Sequence, residues 1–179
     1  MKKLHLLKWV LSITFLALSW EASAIDMTKT PAELTAPDYR PGIVRHVVLF
    51  RYAENLDPKT RVQITNQFLA LQNTCLRNGK PYLLSIEVGD QNSGEGANQG
   101  LEQGYLVSFR SEGDRNYYVG QPVIKDPQFY DPSHQKFKDA LGPLLIKNAL
   151  ALLVFDFTVE RATMLGIPFL PISLPEPKY

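Results

Sequence analysis

The chain has 179 residues, 45% hydrophobic and 21% charged, with a formal net charge of +1. That balance excludes a disordered or collagen-like chain, and the absence of a basic block removes the electrostatic footprint of nucleic-acid binding. The length fits one domain with tails, able to bury about two-thirds of its unfolded surface without disulfide or metal staples.

The first 24 residues have the anatomy of a secretory signal peptide. Lys2, Lys3 and Lys8 form a basic start, Leu11 to Leu18 an apolar run, and Ala22-Ser23-Ala24 the small residues of a cleavage site. The apolar core, Trp9 to Trp20 at most, is shorter than the ~20 residues of a bilayer span. Cleavage after Ala24 predicts a periplasmic or secreted protein with no stable membrane insertion afterwards. The mature chain would carry 16 Lys and Arg against 17 Asp and Glu, a net charge of −1 that steers no strongly charged partner. Cys75 is the only cysteine, so no internal disulfide, dithiol motif or cysteine-rich zinc site can form, and its place on an apolar helix face predicts an inert buried thiol.

Residues 25–42 carry three prolines and no sustained period, and read as an extended linker into the domain. Ile43 to Tyr52 is the first strand, with Val44, His46, Val48, Phe50 and Tyr52 on one face and Arg45, Val47, Leu49 and Arg51 on the other. Asp57-Pro58 starts a helix expected to run to about Asn78, with Gly79 just beyond its end. Ile64, Phe68, Leu71 and Cys75 make its buried stripe, and Val62, Leu69 and Leu76 an adjoining one. Tyr82 to Val88 is the second strand, Gly89 to Gly100 a flexible rim loop, and Gln103 to Arg110 the third strand. Ser111, three residues before Asp114, caps a short helix carrying Tyr117 and Tyr118. An irregular insert, residues 121–131, leads to Asp131-Pro132, which opens another helix with Phe137, Leu141, Leu144 and Leu145 as its stripe, broken at Gly142-Pro143. Ala149 to Val159 is the last strand, and residues 161–179, with four prolines and several large apolar side chains, form a tail expected to lie along the domain or its partner.

The order is β-α-β-β-α-β, a ferredoxin-like α+β fold with helices on one face of an antiparallel sheet. Helices shield one face only, and the first strand is apolar on both. The face bearing Val44, Val48 and Phe50 is expected to meet a second copy of the sheet, giving a homodimer with a barrel-like interior.

Four segments in order resemble the stress-responsive α/β-barrel (Dabb) family. They are Val44 to Phe50 with its histidine, Glu87-Val88-Gly89, Asn98-Gln99-Gly100 through Ser111, and Asp131-Pro132-Ser133-His134-Gln135-Lys136-Phe137 before a strand with Asp156. The match spans about Ile43 to Glu160. The resemblance implies the dimeric barrel. It also implies candidate site residues, because a plant member closes a polyketide ring without a cofactor, using a histidine and a tyrosine in a cavity lined by the first-strand histidine. By position these correspond to His134, Tyr118 and His46. The first histidine of the family's His-Pro-Ala-His is Asp131 here, or Gln121 if Gln121-Pro122 is the true match, and Gln103 replaces that member's third-strand histidine.

His134 falls in the first turn of its helix, where partial positive charge favours a neutral imidazole able to act as a general base. Tyr118 could polarise a carbonyl, while His46, Val48, Phe50 and Gln103 are expected to line the cavity. No metal or other cofactor is implied. Three functions stay open: binding of a small, mainly apolar molecule; a cofactor-independent lyase, cyclase or isomerase with His134 as base; and a non-catalytic stress or stability protein that works by assembly.

Overall fold

Asp-Pro pairs and a Ser-Asp pair punctuate the chain at helix starts, and each acts as the sequence implies. The computed structural model describes residues 26, 28–148 and 150–160; the expected signal peptide and the tail from 161 lie outside these. A short helix, α1 (Pro31–Leu34), is capped by Thr30 and precedes the long strand β1 (Pro41–Phe50). Asp57 caps α2 (Pro58–Thr74), its carboxylate accepting from the Thr60 amide at 3.0 Å. A tiny hairpin, β2 (Leu76–Arg77) and β3 (Lys80–Pro81), precedes β4 (Ser85–Asp90) and β5 (Gln103–Ser111). Ser111 caps α3 (Glu112–Val119), and Asp131 caps α4 (Pro132–Leu141), which ends in a 3-10 turn at Gly142–Leu144. The last strand is β6 (Leu152–Thr158).

The four long strands form one antiparallel sheet in the order β4-β5-β1-β6, the ferredoxin-like arrangement expected. Four of the expected features change. α2 stops at Thr74 rather than Asn78, because Cys75 turns extended and Asn78 and Gly79 take positive φ of 52° and 73°, the turn of a two-residue hairpin. Arg77 is thereby turned inward, where it pairs with Asp114 at 2.8 Å and lies over the Tyr117 ring. Only one stripe of α2 is buried, since Val62 and Leu69 face solvent. The linker before β1 is not simply extended: it docks on α3, with Asn116 donating to the Leu34 carbonyl at 2.8 Å. Gly113 permits this approach, since a Cβ there would sit 1.8 Å from the Ala36 oxygen.

The fourth change concerns the two faces of the sheet. Val44, His46, Val48 and Phe50 do not face a companion sheet; they lie under the helices, in one core with Ile64, Phe68, Phe109 and Phe137. The register puts Arg45, Val47 and Leu49 on the opposite face, which no described element covers. On that strand the face is modest. It becomes strongly apolar because β6 places Leu153, Phe155 and Phe157 beside them, and Phe155 is 60% exposed. The need for a companion surface therefore moves to the other side of the sheet. No described helix is long and apolar enough to cross a membrane.

Candidate functional site

His46 lies mid-strand in β1, beside Val107 of β5 and Asp156 of β6. Its Nδ1–H donates to Asp156 Oδ1 at 2.6 Å, which fixes the ring and leaves Nε2 as the free nitrogen. Arg115 of α3 closes on the other carboxylate oxygen of Asp156. Burial pushes the Asp156 carboxyl up, but the His46 and Arg115 side chains outweigh it and hold it below the usual carboxylate range. This is the carboxylate–histidine arrangement that orients an imidazole for proton transfer or hydrogen bonding.

His134 enters from the first turn of α4, held by its cap: Asp131 Oδ1 accepts from the amides of Ser133 and His134 at 2.8 and 3.2 Å. Its Nδ1–H donates to the Tyr118 carbonyl at 2.6 Å, again leaving Nε2 free. Burial holds this imidazole well below the ordinary histidine range, and the neighbouring Lys138 lowers it further against the opposing pull of the Tyr118 carbonyl. The neutral form expected from the sequence follows, with desolvation rather than the helix end as its main cause.

Between these two rings opens a pocket of about 190 Å³, walled by Val48, Phe50, Phe68, Phe137 and Leu141 and edged by Leu152 and Val154 of β6. Val119, Gln121, Pro122 and Lys138 complete it. No hydrogen bond joins either Nε2 to another described residue, and both histidines line the pocket. The pocket can thus hold an apolar body and offer two fixed nitrogen acceptors.

The structure brings His46, Val48, Phe50 and His134 together in one pocket, which lies between the sheet and the helices. Tyr118 is close but does not line the pocket. Its ring stacks on His134, and its hydroxyl is buried among Cys75 and Asp131 without a hydrogen-bond partner among the described residues. Stacking keeps the ring behind the imidazole, so the phenol points away from the hollow. Gln103 is not in this pocket either. It sits at the far end of β5, its amide tied to Tyr105 at 2.8 Å and Asp90 at 3.0 Å, and it borders a separate hollow of about 420 Å³ beneath the 91–100 loop. Cys75 is fully buried, and burial pushes its thiol up, as an inert sulfur requires.

Lys138 and Gln121 escaped the sequence reading, as did the orienting part of Asp156. Lys138 carried a usable signal: it stands four residues after His134, on the same helix face. Gln121 had none beyond its place in the possible Gln121-Pro122 match. Among the described residues no three metal-ligating side chains come together.

Fold and site together define a ferredoxin-like α+β domain with a small histidine-lined pocket between its sheet and helices. Residues 44–159 match the model of the stress responsive A/B barrel domain, and the chain belongs to that family. A protein of Arabidopsis thaliana is similar in structure at 19% identity and a TM-score of 0.52, covering 68% of this chain and 99% of its own. The hydroxynitrile lyase of Passiflora edulis is similar at 23% identity and the same TM-score of 0.52, covering 69% of this chain and 99% of its own. At these identities the likeness is one of fold. No curated protein matches the chain in sequence.

Proposed function

We propose that this is an exported protein that binds a small, mainly apolar molecule in the pocket between His46 and His134. The observation that carries this is the pairing of an apolar wall with two pocket-lining imidazoles whose Nδ1 atoms are committed, to Asp156 and to the Tyr118 carbonyl, which leaves Nε2 as the nitrogen a ligand could meet. Few, well-placed polar groups in an apolar concavity are the usual composition of a ligand site. A cavity of ~150 Å³ takes a benzene ring, so a pocket of about 190 Å³ suits a molecule of little more than that size.

A second reading is a cofactor-independent lyase or cyclase. His134, held neutral by burial, would be the general base, and the His46–Asp156 pair would take or return a proton on the other side. The Passiflora neighbour is a hydroxynitrile lyase, which makes lyase chemistry known on this fold and nothing closer.

The same reading includes a homodimer joined through the uncovered sheet face of Val47, Leu49, Phe155 and Phe157. Contiguous exposed apolar area of this kind marks an interaction surface. Native mass spectrometry of the protein purified from its source tests all three parts. A mass lacking residues 1–24, a dimer, and a co-purified small molecule released on unfolding are expected. An intact Met1 would overturn export, a monomer the dimer, and a protein free of any bound molecule in repeated preparations the ligand.

A further inference from the structure

We infer that the molecule this pocket takes is a small apolar carboxylate, its acid group held by Lys138; this rests on the ligand-binding reading above. Among the residues lining the pocket, Lys138 is the only one from the Lys, Arg, Asp and Glu set. Its Nζ donates to the carbonyls of Val119 at 2.7 Å and Gln121 at 2.8 Å, and both of those residues line the same hollow. The ammonium is therefore pinned at the pocket edge, and two of its three protons are spent.

No described carboxylate pairs with it. Asp139, next on the helix, accepts instead from Gln135 at 2.9 Å, and Asp156 is taken by His46 and Arg115. Burial draws the Lys138 ammonium below the usual lysine range, opposed only by Asp139. A half-buried cation with backbone carbonyls but no counter-ion carries unmet charge, and an incoming carboxylate supplies what is missing through the third N–H. The aromatic walls of Phe50, Phe68 and Phe137 suit a ring or short alkyl chain behind that acid. The neutral His134 Nε2 is an acceptor and disfavours a carboxylate beside it, which keeps the acid at the Lys138 end and leaves the imidazole for a hydroxyl or water of the bound molecule.

Calorimetric titration of the full protein at pH 7 with benzoate and with benzamide, its uncharged counterpart, tests this. Benzoate should bind about tenfold tighter than benzamide, and Lys138→Met should reduce that preference to about twofold or less. Lys138→Arg, which keeps charge and donors, should retain the preference, and rising salt should weaken benzoate selectively in the wild type. Equal affinities for the two probes, or a preference that survives Lys138→Met in a folded variant, would overturn the inference while the ligand pocket stands. If Lys138→Met does not fold, loss of preference in salt decides, and a salt-insensitive preference overturns it. Binding of neither probe would remove the ligand-binding reading and this inference with it.

Discussion

The imidazole of His134 lies flat against the ring of Tyr118, centroids 3.6 Å apart and planes 16° from parallel, while its Nδ1–H donates to the carbonyl of the same tyrosine. One residue thus sets both the tilt and the tautomer of the histidine. Its backbone and ring face do this, and its hydroxyl, buried and unpartnered, takes no part.

Tyr118→Phe therefore separates the ring from the phenol. Removing an unsatisfied buried hydroxyl should leave stability unchanged or raise it by up to about 1 kcal/mol. Urea denaturation reads the first effect, and benzamide titration should show affinity within about twofold of wild type. A large loss of affinity would mean that the hydroxyl reaches the bound molecule.

His134 also makes stability depend on pH. Its folded imidazole stays neutral where an unfolded histidine takes up a proton, near pH 6.5. Below that pH the unfolded chain binds more protons, so stability is full above it and falls as the pH drops, by at most about 1.4 kcal/mol per pH unit from this group. The lowered carboxyls of Asp57 and Asp156 act only as pH falls below their ordinary value of 3.8. Urea midpoints between pH 7.5 and 5 should decline in the wild type and flatten in His134→Gln. An equal slope in both would contradict the assignment.

Much of this site could be seen before the fold was known. Asp-Pro at 57–58 and 131–132 and Ser111 each predict a cap, because the side-chain oxygens that satisfy free helix amides are local in sequence. His46 and His134 stand out as the only histidines beyond residue 24. What sequence could not supply was sidedness. Alternation sorts β1 into two faces but does not say which one the helices cover, and that depends on pairing with β6, more than 100 residues away, which brings Phe155 and Phe157 beside Val47 and Arg45. The same non-locality hid Asp156 as the partner of His46, separated from it by 110 positions. The orientation of Tyr118 was equally out of reach, because adjacent helical positions differ by rotation alone and stacking on a distant helix decides between them.

Asp131 ties the start of α4 to Tyr82. It is almost fully buried, caps α4, and accepts from the Tyr82 hydroxyl at 2.8 Å. Asp131→Ala removes the cap and strands the tyrosine hydroxyl, and should cost about 2–4 kcal/mol of unfolding free energy. Asp131→Asn keeps an acceptor and should cost less. Equal losses in the two variants, measured by urea denaturation, would show that the hydrogen bonds are not what stabilises this corner.

The uncovered sheet face gives a prediction on assembly. Phe155 is exposed within one chain, so Phe155→Lys should leave the folded subunit intact by circular dichroism and convert a dimer to a monomer in sedimentation equilibrium at micromolar concentration. A wild-type protein that is monomeric under the same conditions, or a Phe155→Lys variant that stays dimeric, would contradict the proposed interface.

Occupation of the pocket is tested most directly by NMR of the protein labelled with 15N in its histidine rings. Titration with benzoate and with benzamide should move the Nε2 resonances of His46 and His134 while both Nδ1 atoms stay protonated and bonded to Asp156 and to Tyr118. Saturating amounts of both probes that leave the two Nε2 signals unmoved would show that nothing of this size enters between the histidines.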